Sequence, residues 1–293
     1  MLSASNLYFP KGVIKMTRKD AFIIVTIAVL SAQLCTRTSS RADAPQDVAS
    51  EIGTKQIDGP LVMAKVGERN RGQDYIATVA WTLMKKGRVQ QRAKYTEKRK
   101  NYNGQDGFNY KSVIRYSEPP KIYKKALLTW TYTNGKRDYW YFLFGFRDAR
   151  RTFSLERFKS QAEVDFPLEE YVDIPPGTEN YRLLSSEEYD DTPCYVIEST
   201  PIREEAPYGK RVSYIDQQNL IPLKVNYFDK KGALWKVMSI TWSNISGIWC
   251  WKKAVVNNVQ DDYSTYIIIE EVKFNSGLDD REFTKIALER SKE

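Results

Sequence analysis

Histidine is absent from all 293 residues. That removes Ser-His-Asp and Cys-His catalysis, imidazole proton shuttles and most zinc sites. Carboxylates are the next candidates. Asp165, Glu169 and Glu170 cluster in the stretch DFPLEEY, where paired acids could run a sugar-hydrolase type of reaction. The plainer reading, a solvated acidic loop, is preferred. Two cysteines outside the N-terminal region, Cys194 and Cys250, lie in the apolar runs CYVI and IWCW. In an exported chain they form a disulfide, or they are two small buried thiols; both readings stand. A basic run, Arg147, Arg150, Arg151 and Arg157, suits anionic headgroups or an acidic partner, or is a solvated strand face. It could also latch onto the acidic loop that follows. No catalytic residue, metal or cofactor is expected.

The remaining chemistry is apolar. With 7 Trp, 19 Tyr and 12 Phe, the chain has the side chains for a dry, aromatic-walled cavity. Trp81, Trp130, Tyr132, Tyr139 and Tyr141 are the candidate lining; for each of them plain core packing competes. Burying an acyl chain in such a cavity yields roughly 0.8 kcal/mol per CH₂ and needs no catalytic group.

The stretch that would position most of these residues is Ala126 to Phe144, ALLTWTYTNGKRDYWYFLF. Asn134-Gly135 between aromatic and β-branched runs is a strong hairpin signal. A two-residue turn would set Tyr132 opposite Arg137, Trp130 opposite Tyr139 and Leu128 opposite Tyr141. Leu128, Trp130, Tyr132, Tyr139, Tyr141 and Leu143 would then share one face; a slip of one residue would swap the faces. Both faces are apolar at the end away from the turn, so both must be covered there. A curved sheet with a helix or lid in its concavity satisfies that, as does a sandwich.

Around the hairpin, strand patterns run from Tyr75 to Leu83, Arg88 to Lys98 and Phe108 to Tyr116. A short strand follows at Ala149 to Leu155. After the acidic loop, Ser160 to Gly177, strands resume at Tyr181, Cys194, Gly209, Ile221, Ala233, Ile248 and Thr265. Their regular spacing predicts one mainly β domain, a meandering barrel or a sandwich. Asp47 to Arg69 reads as helical, best in its second part, with Asp58 as N-cap and Pro60 in the first turn. Leu278 to Arg290 reads as a short C-terminal helix.

Residues 1–44 read as a signal peptide. Arg18-Lys19 precede the apolar run Ala21 to Leu34, Met16 is the expected start, and Ala42-Asp43-Ala44 offers cleavage near Ala44. An uncleaved N-terminal anchor is the alternative. The mature domain is then 45–293. The formal charge is +8 for the whole chain and +4 without residues 1–44, too mild to indicate nucleic acid.

From about Asp47 to Arg290 the chain resembles the outer-membrane lipoprotein-sorting family, the LolA/LolB-like carriers, and within it an uncharacterised exported branch. The matching features are, in order, VGER ending the N-terminal helix, YIATVAWTLMKKGR with RAKYT, VIRYSEPP, LLTWTYTNGKRDYWYFL, RDARR, DFPLEEY, NLIPLKVNYFDKKGALWKVM and EFTKIALER. Two features depart. Only Asp165-Phe166 match the glycine-serine-aspartate-phenylalanine expected before the acidic loop, and Lys124 to Leu128 lacks an expected glycine. The resemblance implies an incomplete, strongly curved antiparallel barrel, with an N-terminal helix and short helices closing its concave face. It implies a periplasmic, monomeric carrier of lipid or lipoprotein acyl chains. Its partners would be an inner-membrane exporter or an outer-membrane acceptor. Phe166 joins the ligand-binding candidates, and Asp165 joins Arg147, Arg150 and Arg151 as partner or headgroup contacts. The competing functions are a non-catalytic module of an export complex, a carboxylate hydrolase and a membrane-spanning β-barrel.

Overall fold

The structure, a computed structural model, describes residues 57–120, 125–143, 148–152, 177–202, 204 and 206–290. The expected signal peptide, the helix before residue 57, Arg147, Arg157 and the loop bearing Asp165, Phe166, Glu169 and Glu170 lie outside the described residues.

Among the described residues, chain order begins with helix α1 (Gly59–Gly67) and continues with thirteen strands. These are β1 (Asp74–Lys85), β2 (Arg88–Asn101), β3 (Phe108–Glu118), β4 (Ala126–Tyr132), β5 (Arg137–Phe142), β6 (Arg150–Thr152) and β7 (Glu179–Tyr189). They continue with β8 (Thr192–Pro201), β9 (Lys210–Asp216), β10 (Pro222–Phe228), β11 (Leu234–Ile245), β12 (Ile248–Asn258) and β13 (Tyr263–Phe274). A 3₁₀ turn (Asp280–Phe283) and the short helix α2 (Lys285–Arg290) end the described chain.

All pairings are antiparallel, in the spatial order β6-β5-β4-β3-β2-β1-β13-β12-β11-β10-β9-β8-β7. Strands adjacent in the chain pair with each other except β6 and β7, and the two meanders β1–β6 and β7–β13 are joined through the β1–β13 pair. Strands β6 and β7 remain edges, so the sheet is open and curved rather than a closed barrel. Register shifts insert bulges at Glu270 in β13 opposite Thr78/Val79, at Lys252 in β12 opposite Thr241/Trp242, and at Leu184 in β7. Bulges bend and twist a strand, which is how a sheet this wide curls.

The two faces have different covers. On the concave face, Ala77, Val79, Trp81, Tyr95, Leu127, Tyr139 and Tyr141 pack with Val225, Tyr227, Met238, Val256 and Ile267 from the far side of the curl. Helix α1 sits on the same face at the β7–β9 end, where Val62 and Val66 meet Ile197 and Ile215. Its start matches expectation: the Asp58 carboxylate accepts from the Leu61 N–H at 2.8 Å, with Pro60 in the first turn. The C-terminal segment covers the opposite face instead. Leu278, Phe283 and Leu288 pack on Val113, Ala126 and Leu128. The two-sided apolar pattern of β4–β5 is thus accounted for by two separate layers.

The hairpin itself corrects the expected register. The Gly135 N–H donates to the Tyr132 carbonyl at 3.0 Å, the Tyr132 N–H donates to the Lys136 carbonyl at 2.9 Å, and Gly135 has φ 79°. This is a three-residue loop, a tight turn followed by a left-handed glycine, not a two-residue one. The Asn134 side-chain oxygen accepts from the Lys136 N–H at 2.9 Å and holds it. The pairing moves by one residue, to Leu128 opposite Trp140, Trp130 opposite Asp138 and Thr131 opposite Arg137. Tyr139 and Tyr141 consequently share the concave face with Leu127, and Trp130 and Tyr132 go to the other side.

Candidate ligand-binding concavity

Alternation along the strands builds the cavity wall. Ala77 and Val79 on β1, Tyr95, Glu97 and Arg99 on β2, Tyr110, Ser112 and Ile114 on β3, Leu127 and Thr129 on β4, and Arg137 and Tyr139 on β5 all point inward at every second position. Trp251, Ile267 and Ile269 face them from β12 and β13. Together they enclose about 250 Å³. A larger lobe of about 910 Å³ lies against α1, between Met63 and Val66 on the helix and Ile215, Val225, Tyr227, Met238 and Ile240 on β9–β11. Arg69, Arg71, Arg99, Asn101, Tyr110, Trp242 and Trp251 belong to both walls, so the two lobes adjoin. The larger one falls in the size range of small-molecule sites, roughly 300–1,000 Å³.

The polar groups of this wall are held in place. Arg69 donates from Nε to the Val66 carbonyl at 3.0 Å, and its guanidinium lies 4.9 Å from the Trp242 ring centre. Arg99 donates from Nε to Asn101 Oδ1 at 3.0 Å, and its guanidinium is 3.6 Å from the Tyr110 ring centre. Deeper under α1, Arg211 grips the buried Glu179 with two bonds, 3.0 Å from Nε and 2.6 Å from Nη2, and the Tyr208 hydroxyl adds a third at 2.9 Å. Burial alone would lower the Arg211 pKa; the charge and hydrogen bonds of Glu179 outweigh it and leave it raised. Burial drives the Tyr208, Tyr95 and Tyr116 hydroxyls upward, so all three stay neutral. Among the described residues no group of three or more Cys, Asp or Glu is arranged to hold a metal.

The structure scatters the lining residues expected from the sequence. Tyr139 stands in the cavity wall. Trp81 and Tyr141 are on the same face but packed in the adjoining core, each about 1% exposed. Trp130 and Tyr132 lie on the opposite face as a result of the hairpin register. The Trp130 indole N–H donates to the Phe283 carbonyl at 2.9 Å, and the ring packs 4.7 Å from Trp140. Tyr132 donates to Asp138 Oδ2 at 2.9 Å. Of the basic run, Arg151 pairs with the buried Asp138 at 2.7 Å on that outer face, while exposed Arg150 sits opposite Tyr141 at the open edge.

Cys194 and Cys250 are both free. They stand on β8 and β12 with three strands between them, each step about 4.8 Å, whereas a disulfide needs Cα atoms within about 7 Å. Each thiol donates instead to a nearby carbonyl, Cys194 to Thr192 at 3.3 Å and Cys250 to Ser243 at 3.7 Å.

Sequence reasoning passed over Tyr95, Arg99, Tyr110, Trp242, Trp251, Arg69 and Arg71. The signal was present in β2, where Tyr95, Glu97 and Arg99 occupy one side of a strand whose period is two.

A family model described as an uncharacterized protein matches residues 109–290. The chain belongs to that family. Solved structures show the same fold. An outer membrane lipoprotein-sorting protein domain from Vibrio parahaemolyticus is similar at a TM-score of 0.70 and 24% identity, over 79% of this chain and 98% of that one. A DUF1329 family protein from Desulfovibrio piger reaches 0.71 at 24% identity, over 78% and 97%. A LolA superfamily protein from Nitrosomonas europaea reaches 0.58 at 19% identity, over 79% and 100%. The resemblance to LolA-like lipoprotein-sorting proteins read from the sequence thus holds for the fold. No curated protein matches the sequence.

Proposed function

We propose that the protein is a non-catalytic carrier that takes acyl chains of a lipid or lipoprotein into its concavity and moves them toward the outer membrane. The observation that carries this reading is the pair of adjoining lobes between the curled sheet and α1, walled largely by apolar and aromatic side chains. Ten buried methylenes would contribute roughly 8 kcal/mol before the cost of association, enough for reversible loading. The sorting role named for the Vibrio domain fits such a cavity. In this reading residues 1–44 are a signal peptide, 45–293 work as a monomer in the periplasm, and an exporter or acceptor supplies and receives the cargo. Tyr139 is the lining residue retained from the sequence; Phe166 is assigned to ligand binding, and Arg147, Arg150 and Asp165 to contact with a partner or headgroup. Among the described residues no helix is long and apolar enough to cross a membrane.

Native mass spectrometry of the protein from its own compartment, followed by organic extraction, tests this. A stoichiometric acyl species supports the carrier and names its cargo. A protein that stays empty after incubation with membranes overturns it in favour of an interaction module of an export complex.

A further inference from the structure

The outer face of the hairpin carries a row of rings that the cavity does not use. Phe108 on β3 lies 4.9 Å from Tyr132 and 5.7 Å from Trp130, both on β4, and Trp130 lies 4.7 Å from Trp140 on β5. The C-terminal cover packs against Trp130 and Trp140 without enclosing them, and all four rings are half-buried. Cations lie over the row. The Lys111 ammonium is 3.9 Å from the Phe108 ring centre and 4.9 Å from that of Trp130. Lys136 is 5.9 Å from Tyr132, and the Arg151 guanidinium is 5.7 Å from Trp140. Lys136 and Arg151 are exposed, whereas their acidic neighbour Asp138 is buried and bonded to Arg151 and Tyr132. The acidic neighbours of Lys111 are Asp106 and Asp280, and Asp280 pairs with Lys100 at 2.8 Å.

Two polar tips of the row are spent inside the protein, the Trp130 indole N–H on the Phe283 carbonyl and the Tyr132 hydroxyl on Asp138. The row therefore offers ring carbon to the outside, flanked by positive charge. A protein partner would be recognised in part through hydrogen-bonding tips, and here those are occupied. A bilayer interface wants this combination: Trp and Tyr rings settle at headgroup level, and Lys and Arg reach the phosphates. We infer that this face, on the side of the sheet opposite the cavity, docks on an anionic lipid bilayer. Phe108, Trp130, Tyr132 and Trp140 sit at headgroup depth, with Lys111, Lys136 and Arg151 against the lipid phosphates. The inference goes beyond the carrier reading and does not depend on what the cavity holds.

Flotation of the purified chain with large unilamellar vesicles tests this, using phosphatidylcholine alone and phosphatidylcholine mixed with phosphatidylglycerol. Binding should be confined largely to the anionic vesicles and should weaken as salt is added. Lys136→Gln and Lys111→Gln should each reduce it about fivefold, the scale of one cation at an anionic surface. Lys136 stands exposed at the hairpin turn, so its variant keeps the test decisive even where Lys111→Gln fails to fold. Uptake of single lipids into the cavity would be insensitive to either substitution on the opposite face. Equal binding to both vesicles, or binding that neither substitution weakens, overturns the docking surface. Absence of flotation with either vesicle overturns it too and gives this face to a protein partner; an acyl species found by native mass spectrometry in that same protein would leave the carrier reading standing.

Discussion

At the scale of single residues, the described ion pairs serve the sheet more than the cavity. Glu198 on β8 receives Lys210 at 2.9 Å and Arg182 at 2.7 Å, and these hydrogen bonds hold its carboxyl below the ordinary range. A carboxyl depressed on folding contributes stability above its unfolded pKa, about 4.3, and loses it as pH falls through the folded value. The wild type should therefore be more stable than Glu198→Gln at pH 7, and the gap should shrink as pH falls below about 4.3 and close below the lower folded pKa. Thermal melts of both proteins across pH read this directly, and a gap independent of pH would count against the pairing. The cysteines give a second residue-level expectation. Burial raises both thiol pKa values, and Cys194 is fully buried. Without reductant, a maleimide should label both Cys194 and Cys250 in denaturant and leave Cys194 unlabelled in the native protein. A missing label in denaturant would reveal a bond between them.

At the scale of elements, two close approaches set where the covers sit. Gly59 opens α1 directly over β7, and a Cβ there would lie 2.8 Å from the backbone of Arg182 and Leu183. Gly59→Ala should lift the helix off the concave face at a cost of about 1–3 kcal/mol, seen as faster hydrogen exchange across Gly59–Gly67 with little change in β1–β5. The C-terminal cover depends on Asp74. Its buried carboxylate accepts from the N–H groups of Ser276, Gly277 and Leu278 at 2.6, 2.9 and 3.0 Å, turning the chain back after β13. Asp74→Ala strands those donors and should cost about 3 kcal/mol, a fall in Tm of roughly 6–12 °C, with Phe283 and Leu288 released from β4. The hairpin belongs to this scale too. Asn134-Gly135 was legible as a turn, but the same dipeptide serves two-residue and three-residue loops. Their choice shifts the register by one and moved Trp130 and Tyr132 off the cavity face.

At the scale of the whole molecule, the cavity exists because the sheet curls far enough for β2–β5 to confront β11–β13. Filling it should abolish uptake without unfolding. Ala77 on β1 stands in the wall of the smaller lobe, so Ala77→Phe should project a ring into that space and lower acyl-lipid affinity by about tenfold or more, with unchanged circular dichroism. Unaltered binding in a folded Ala77→Phe would place the ligand elsewhere.

Strand positions, the Asp58 cap, the meander and the need to cover both faces of β4–β5 follow from local pattern, because period, turn residues and caps are read within a few neighbours. The missing histidine excluded whole classes of chemistry outright. Which inward residues meet in space was settled only in the fold. Arg69 and Trp242, or Tyr139 and Trp251 in the wall of one lobe, come together through curvature accumulated over several strands and bulges, and no local window contains that sum. The same holds for the two thiols, equally apolar in context yet held three strands apart by the order of the sheet.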